Sequence, residues 1–343
     1  MRLEFEILEL QTRHEFHIAR AAAPAARRNV WVRLIDESGL EGWGEAAPNA
    51  YYQESAETVL VALRSYQEIL APLRAGTIDI AVTENRLSAD RGNASARAAV
   101  SAALHDLVGK RRNLPAWRML GLQPREQLSS YTIGIDEIEV MRRKTREAAS
   151  YRILKVKVGT DRDEEILTML REERPDAIIR VDANTGWTVQ QAIELLPLME
   201  RFNIELIEQP LPPDDLDGLA AVTRASRIPI IADESCKTAA DVERLRGKVH
   251  GVNIKLAKCG SIGEALKIVR AAREANMQVM LGCMIESTLG IAAAAQVASL
   301  ADYIDLDGAA LLANDPFDGP HLDAQGRLFM TDRSGLGVKQ RGA

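Results

Sequence analysis

Ile153-Leu154-Lys155-Val156-Lys157 is a short apolar run, twice interrupted by lysine and ending in a charge. The same phrase returns down the chain. Ile178-Ile179 leads to Asp182, Leu206-Ile207 to Glu208, Ile230-Ile231 to Asp233, and Val252-Asn253-Ile254 to Lys255. From Lys157 onward these charges lie at steps of 25, 26, 25 and 22 residues. One strand, one helix and two loops of a parallel α/β barrel occupy about that much chain. The C-terminal strand ends of such a barrel share one rim, so the spacing gathers five charged groups in one place.

Working outward, the apolar runs predict eight strands near 130–135, 153–158, 178–182, 205–208, 230–233, 252–255, 278–281 and 303–306. Amphipathic helices fit between them, for example 189–202 behind Thr188 and 262–275 behind Ser261 as caps. The chain after the eighth strand is rich in Gly and Pro (Pro316, Gly319, Pro320), so the eighth helix is expected to be short or missing. The first third reads differently. Strands are expected near 3–10, 29–36 and 40–44, with Glu37-Ser38-Gly39 turning between the last two. Helices follow near 55–70, 81–87 and 94–110, the last capped by Asn93. The fold class is therefore α/β: a modified TIM barrel, (β/α)7β, with an N-terminal α+β capping domain. Its expected parts are 1–124 for the cap, 125–318 for the barrel and 319–343 for a tail returning to the cap.

A length of 343 residues suits a barrel plus a smaller domain. With 46% hydrophobic and 27% charged residues the composition is that of an ordered globular chain. A net charge of −6 without long runs of one sign gives no reason to expect a nucleic-acid or membrane partner. The N-terminus, Met1-Arg2-Leu3-Glu4-Phe5-Glu6, carries charges where a signal peptide needs an apolar core. Cys236, Cys259 and Cys283 have no CxxC spacing and fit reduced thiols, so a cytoplasmic location is expected. The five histidines share no metal or triad spacing. Assembly into a homo-oligomer stays open.

Chemistry begins with the acids. Asp182 precedes Ala183-Asn184, Glu208 precedes Gln209-Pro210, and Asp233 precedes Glu234-Ser235. Taken singly, each could be an ion-pair or helix-cap residue. Three on successive strands at one rim repel one another unless a cation neutralises them. Oxygen-only ligands that leave room for water and substrate favour Mg²⁺ over Zn²⁺, one ion per subunit. Lys155 and Lys157, two residues apart on a strand, share its inward face. Both could be counter-ions to the acids, but that leaves Lys255, beyond the acids, without a reason. Lysines facing one another across a metal can take and return a proton at opposite faces of one carbon. The reaction implied is proton abstraction α to a carboxylate, whose doubly charged intermediate needs a Lewis acid.

On Lys155-x-Lys157, Asp182-x-Asn184, Glu208-Gln209-Pro210, Asp233-Glu234-Ser235 and Asn253-Ile254-Lys255, the chain resembles the enolase superfamily in its muconate-lactonizing subgroup. The likeness spans essentially the whole chain. Lysine bases with Mg²⁺ stabilising an enediolate are the known pattern of that superfamily. The resemblance implies Asp182, Glu208 and Asp233 as Mg²⁺ ligands and Lys157 and Lys255 as the opposed acid/base pair. Lys155, Asn184, Glu234 and Asn253 become supporting residues, with Lys155 also near the substrate. Ile304-Asp305-Leu306-Asp307-Gly308 is similar to the Asp-x-Asp of dipeptide epimerases, whose acids receive the substrate's α-ammonium. The same residues also read as a turn. Leu281 to Ser287, with Cys283 and Met284, resembles that subgroup where it lines the pocket.

The resemblance thus implies an isomerase similar to L-Ala-D/L-Glu epimerases, acting on a small dipeptide. Members of that type commonly hold the acidic side chain with an arginine from the loop after the first strand. Here Arg20, Arg27 and Arg28 flank the small residues around Pro24, and none stands out. A dipeptide with an apolar C-terminal side chain is the other option, with Tyr51 and Tyr52 of a second cap loop to stack on it. Rival readings are a cycloisomerase, an o-succinylbenzoate synthase or N-acylamino acid racemase, and a metal-stabilised barrel without catalysis. Anionic substrates without an ammonium would be repelled by Asp305 and Asp307.

Overall fold

The computed structural model describes residues 1–19, 21–23 and 26–342. The chain opens with β1 (Arg2–Gln11), the hairpin β2 (Phe16–Ile18) and β3 (Ala21–Ala23), then β4 (Ala26–Ile35) and β5 (Glu41–Ala46). β1, β4 and β5 form an antiparallel sheet in that order, with Arg2 opposite Ile35 and Val30 opposite Ala46. Helices α1 (Ala56–Leu70), α2 (Ile80–Leu87) and α3 (Ala94–Arg112) cover one face. Val30, Val32 and Leu34 alternate into that layer and meet Leu63, Tyr66, Leu104 and Leu107. Ser55 caps α1 by accepting from Thr58 N, and Thr58 reciprocates. Gly42 and Gly44 let α3 lie directly on β5: a Cβ at Gly42 would stand 2.2 Å from the Ala103 carbonyl oxygen. Filling that space would cost roughly 1–3 kcal/mol in overpacking. Asn93 departs from expectation. It takes a left-handed φ of 45° and its side chain makes no cap bond to α3, so the turn geometry, not a side-chain oxygen, starts this helix.

After a short α4 (Ala116–Met119) the strand–helix alternation sets in. It runs β6 (Tyr131–Ile133), α5 (Ile138–Glu147), β7 (Ile153–Lys157), α6 (Asp163–Glu173), β8 (Ile178–Asp182) and α7 (Val189–Arg201). It continues through β9 (Ile204–Glu208), α8 (Leu216–Ala225), β10 (Ile230–Ala232), α9 (Ala239–Leu245) and β11 (Gly251–Ile254). The last part is α10 (Leu256–Cys259), α11 (Ile262–Glu274), β12 (Gln278–Gly282), α12 (Thr288–Ala295) and β13 (Tyr303–Asp305). All eight strands pair in parallel, in chain order. An isolated bridge between Ser129, just before β6, and Ile304 of β13 brings the two ends of the sheet together, so the barrel is nearly closed. Among the described residues no helix follows β13. Thr188 and Ser261 cap α7 and α11 as expected.

Parity along the strands decides where the chemistry lies. Leu154, Val156, Ile179, Val181, Ile207, Val252 and Ile254 face the helix layer. Their neighbours face inward, where Leu206, Ile231 and Met280 form a separate small apolar cluster. One step up the same inward rows stand Lys157, Asp182, Glu208, Asp233, Lys255 and Asp305.

The tail folds as β14 (Phe317–Asp318), β15 (His321–Leu322), β16 (Leu328–Phe329) and β17 (Lys339–Gln340). It reaches α3, where Leu336 N donates to Asp106 Oδ1 at 2.8 Å, and Gly335 N donates to Leu114 O at 2.9 Å. Among the described residues no helix is long and apolar enough to cross a membrane.

Candidate active site

The inward charges of β7 to β11 form an arc. Lys157 Nζ lies 2.7 Å from Asp182 Oδ2 at one end, and Lys255 Nζ lies 2.9 Å from Asp233 Oδ2 at the other. Glu208, on the strand between, accepts from Asn253 Nδ2 at 2.8 Å. Lys155 Nζ sits lower and pairs with three acids: Glu208 at 2.6 Å, Asp305 at 2.8 Å and Asp182 at 3.0 Å. Asn184 N donates to Asp182 Oδ1, and Asn184 Nδ2 lies 3.4 Å from Glu234 Oε1. The strand ends are strained here: Asn184, Thr185 and Gln209 all hold positive φ, at 44°, 69° and 35°.

Electrostatics follows from this crowding. Burial penalises the charge on Asp182, yet the ammonium groups of Lys155 and Lys157 hold its pKa well below the carboxylate range. Asp233 is likewise held low against burial by Lys255 and Lys258. Glu208 goes the other way: burial and the Asp182 charge push it up to about 7. Burial also opposes the charge of Lys155 and Lys255, but the surrounding acids outweigh it and raise both above the ordinary lysine value.

A cavity of about 430 Å³ opens over this arc. Lys155, Lys157, Asp233 and Lys255 line its floor, with Asn184 and Glu234 beside them. Asp305 and Asp307 line it from the eighth strand. Asp305 accepts from Ser130 Oγ at 2.6 Å besides Lys155, and Asp307 Oδ2 accepts from Thr132 N at 2.6 Å. Burial and the Asp305 charge push Asp307 up to about 7. The opposite wall comes from the cap, through Arg27, Asn29 and the turn carrying Tyr51 and Tyr52. Those two rings stack edge to face at 5.1 Å, and Lys237 Nζ lies 5.2 Å from the Tyr52 ring centre. Cys283 and Met284 complete the wall from the loop after β12.

The three arginines of the first cap loop separate. Arg28 pairs with Glu57 at 2.5 Å on the surface. Arg20 and Pro24 lie outside the described residues. Arg27 lines the cavity, and its buried Nε has no hydrogen-bond partner among the described residues. Burial lowers its pKa.

Sequence reasoning missed Lys258 and Gln209. Lys258 is buried on α10 and donates to Asp233 Oδ1 and to the carbonyls of Asp233, Cys236 and Asn253. Its spacing of three from Lys255 was the only signal. Gln209 Oε1 accepts from Asp233 N at 2.8 Å and Ser235 N at 3.2 Å, so it sets the strand end that presents Asp233.

The residues suit a divalent cation. Asp182, Glu208, Asp233, Glu234, Asp305 and Asp307 are buried acids facing four buried lysines, Lys155, Lys157, Lys255 and Lys258, so the acidic groups outnumber the basic ones by two. Among the described residues Glu208 Oε2 is buried without a hydrogen bond, although Lys155 Nζ is close enough for an ion pair. Among the described residues no three His, Cys, Asp or Glu side chains stand in metal-holding geometry; lysine ammonium groups tie the acids instead. Lysine side chains are long and flexible enough to yield that space. The donors are all oxygen, the preference of Mg²⁺.

A capped, parallel α/β barrel with lysines flanking an arc of three acids defines a class of enzyme architecture. Residues 138–342 match the family described as enolase C-terminal domain-like, and residues 3–121 match the mandelate racemase/muconate lactonizing enzyme N-terminal domain. The chain belongs to this mandelate racemase/muconate lactonizing family of the enolase superfamily. It is 39% identical to the L-Ala-D/L-Glu epimerase of Bacteroides thetaiotaomicron, over 98% of this chain and 88% of that protein. It is 34% identical to the hydrophobic dipeptide epimerase of Roseobacter litoralis, with 98% of each covered. The crystal structure of a dipeptide epimerase from Enterococcus faecalis complexed with Mg and L-Leu-L-Tyr superposes with a TM-score of 0.93 at 32% identity, covering 99% of both chains.

Proposed function

We propose that the chain is a Mg²⁺-dependent dipeptide epimerase that inverts the α-carbon of the C-terminal residue. The observation that carries this reading is the order of groups around the barrel. Lys157 on β7 and Lys255 after β11 bracket Asp182, Glu208 and Asp233 on the three strands between, and both lysines line one cavity. Asp182, Glu208 and Asp233 would hold the ion. Bound there, Mg²⁺ would supply Lewis-acid stabilisation of the second negative charge that the substrate carboxylate takes up when the α-proton leaves. Lys157 and Lys255 act at opposite faces of the α-carbon, one removing the proton and the other returning one. Asp305 and Asp307 receive the ammonium, and Lys155 fixes Asp305 from below. The relatives' names and the dipeptide in the Enterococcus structure support the substrate class. The domain division at 1–124, 125–318 and 319–343 belongs to the same reading, with the cap closing the cavity. Incubating a dipeptide library with Mg²⁺ in D₂O tests it: mass gain at one α-carbon is expected, and no exchange in any dipeptide would sink the proposal.

Arg27 supports an acidic C-terminal side chain, since its buried Nε, which has no hydrogen-bond partner among the described residues, suits a carboxylate. Replacing it with methionine is expected to lower kcat/KM for Ala-Glu by roughly 10- to 100-fold, the worth of a charge-assisted hydrogen bond. Ala-Val should be unaffected. Met284, Tyr51 and Tyr52, which line the same cavity, favour a second reading, an apolar side chain; Ala-Val preferred over Ala-Glu by the unaltered enzyme would select it.

Asp307 gives a pH prediction. Protonated, it offers no charge to an ammonium, so at saturating Mg²⁺ kcat/KM should fall as pH drops through about 7. Stability runs the other way. Folding raises the pKa of this acid, so its contribution is full at low pH and is lost as pH rises through about 7. Asp307→Asn should remove the inflection at about 7, leaving the part of the acid limb set by the lysine base, and lower kcat/KM at pH 8; an unchanged inflection would refute the assignment.

A further inference from the structure

Beyond the floor of the site, the two walls of the cavity are joined by one buried carboxylate that the mechanism does not use. β5 turns Gly42, Gly44 and Ala46 to α3, so Trp43 and Glu45 face the barrel, where Trp43 meets Phe317 at 5.9 Å. Glu45 is 5% exposed. Its Oε1 accepts from Asn29 Nδ2 at 2.7 Å and from Ser287 N at 3.0 Å, and its Oε2 accepts from Ser287 Oγ. Asn29 Nδ2 also donates to the Ile285 carbonyl at 3.0 Å. Four residues after Glu45, Asn49 Nδ2 approaches Met284 Sδ at 3.8 Å. Inside the loop, Glu286 Oε1 accepts from Met284 N at 2.8 Å. Asn29 and Asn49 belong to the cap wall of the cavity, and Cys283, Met284 and Ile285 to the barrel wall.

We propose that Glu45 is a positioning residue: it clasps the loop after β12 to the cap, so that both walls of the substrate cavity are held in register as one unit. Three donors converge on this carboxylate, and two of them belong to the residue that caps α12, so the clasp grips backbone as well as side chain. A hydrophobic contact would let the walls slide; a directional acceptor does not. The cost of losing it is high, because Ser287 N and Ser287 Oγ would lose the acceptor they share, and Asn29 Nδ2 would keep only the Ile285 carbonyl. Position, more than charge, is what the clasp needs. Glutamine can accept from Asn29 and Ser287 N while its amide donates to Ser287 Oγ, whereas aspartate is one methylene too short to reach.

The test compares Glu45→Asp, Glu45→Gln and the milder Ser287→Ala in the full chain. Glu45→Asp should speed amide hydrogen exchange in 283–287 by about tenfold relative to the barrel strands. It should raise KM by about tenfold with kcat changed less than about threefold, because the walls hold the dipeptide and do not move the proton. Glu45→Gln should restore both toward the parent, and Ser287→Ala should show the same pattern at smaller size, which keeps the test alive if Glu45→Asp does not fold. A merely structural Glu45 would lower Tm and leave KM of the folded enzyme and the local exchange pattern unchanged; that result overturns the clasp, as does a Glu45→Gln variant no better than Glu45→Asp. The kinetic arm rests on the epimerase reading and the exchange arm does not. A parent enzyme inactive on every dipeptide would therefore defeat that reading, while exchange in 283–287 would still decide the clasp.

Discussion

Alanine in place of Lys255 is expected to end epimerisation, lowering kcat by about 10⁴-fold, the upper end of what a positioned acid or base contributes. The same holds for Lys157→Ala. The informative result is what survives. With one lysine gone, the remaining one still reaches its own face of the α-carbon. In D₂O each variant should therefore exchange the α-proton of one epimer without converting it to the other, and the two variants should select opposite epimers. Loss of fold does not explain such a pattern, and the structure gives reason to expect folded proteins. Asp233 keeps Lys258 when Lys255 is lost, and Asp182 keeps Lys155 when Lys157 is lost, so neither buried acid is stranded. Full turnover in either variant would defeat the two-base mechanism.

The grouping of the candidate site's charged residues was legible in the sequence because strand parity and the barrel period are strict. A residue two positions from Lys157 must share its face, and a charge ending each apolar run must reach the same rim. Those rules placed Lys155, Asp182, Glu208, Asp233 and Lys255 together without any knowledge of side-chain contacts. They fail where function depends on tertiary partners. Lys258 follows Lys255 on a short helix, a setting in which lysine is usually solvated; only the fold gives it four buried acceptors. Asn93 has the residue type of a cap, but a left-handed φ turns its side chain away from that role. Glu45 lies near the end of an edge strand that also carries two glycines, and nothing in the sequence says that a loop some 240 residues later bonds to it. Arg27 and Arg28 are adjacent and chemically identical, yet one lines the cavity and the other pairs with Glu57 outside.

Stripping divalent cations with EDTA should abolish turnover, and Mg²⁺ should restore it. The argument is one of charge. Six buried acids oppose four buried lysines, and among the described residues Glu208 Oε2 is buried without a hydrogen bond, with Asp182 and Asp233 on the neighbouring strands. A chain carrying that excess without relief would be poorly placed to accept a further carboxylate from a dipeptide. Binding should also be visible without activity. A ligand present at 100 times its Kd stabilises the fold by about 2.7 kcal/mol, so Mg²⁺ should raise Tm of the parent protein by a few degrees. Glu208→Gln keeps the volume and can still accept from Asn253, but removes one charge from the centre of the arc. In that variant the Mg²⁺-dependent rise in Tm should shrink or vanish together with turnover. A Tm indifferent to Mg²⁺ in both proteins, with turnover persisting in EDTA, would show that the lysines alone balance these acids and that the enzyme stabilises its intermediate by ammonium groups and not by an ion.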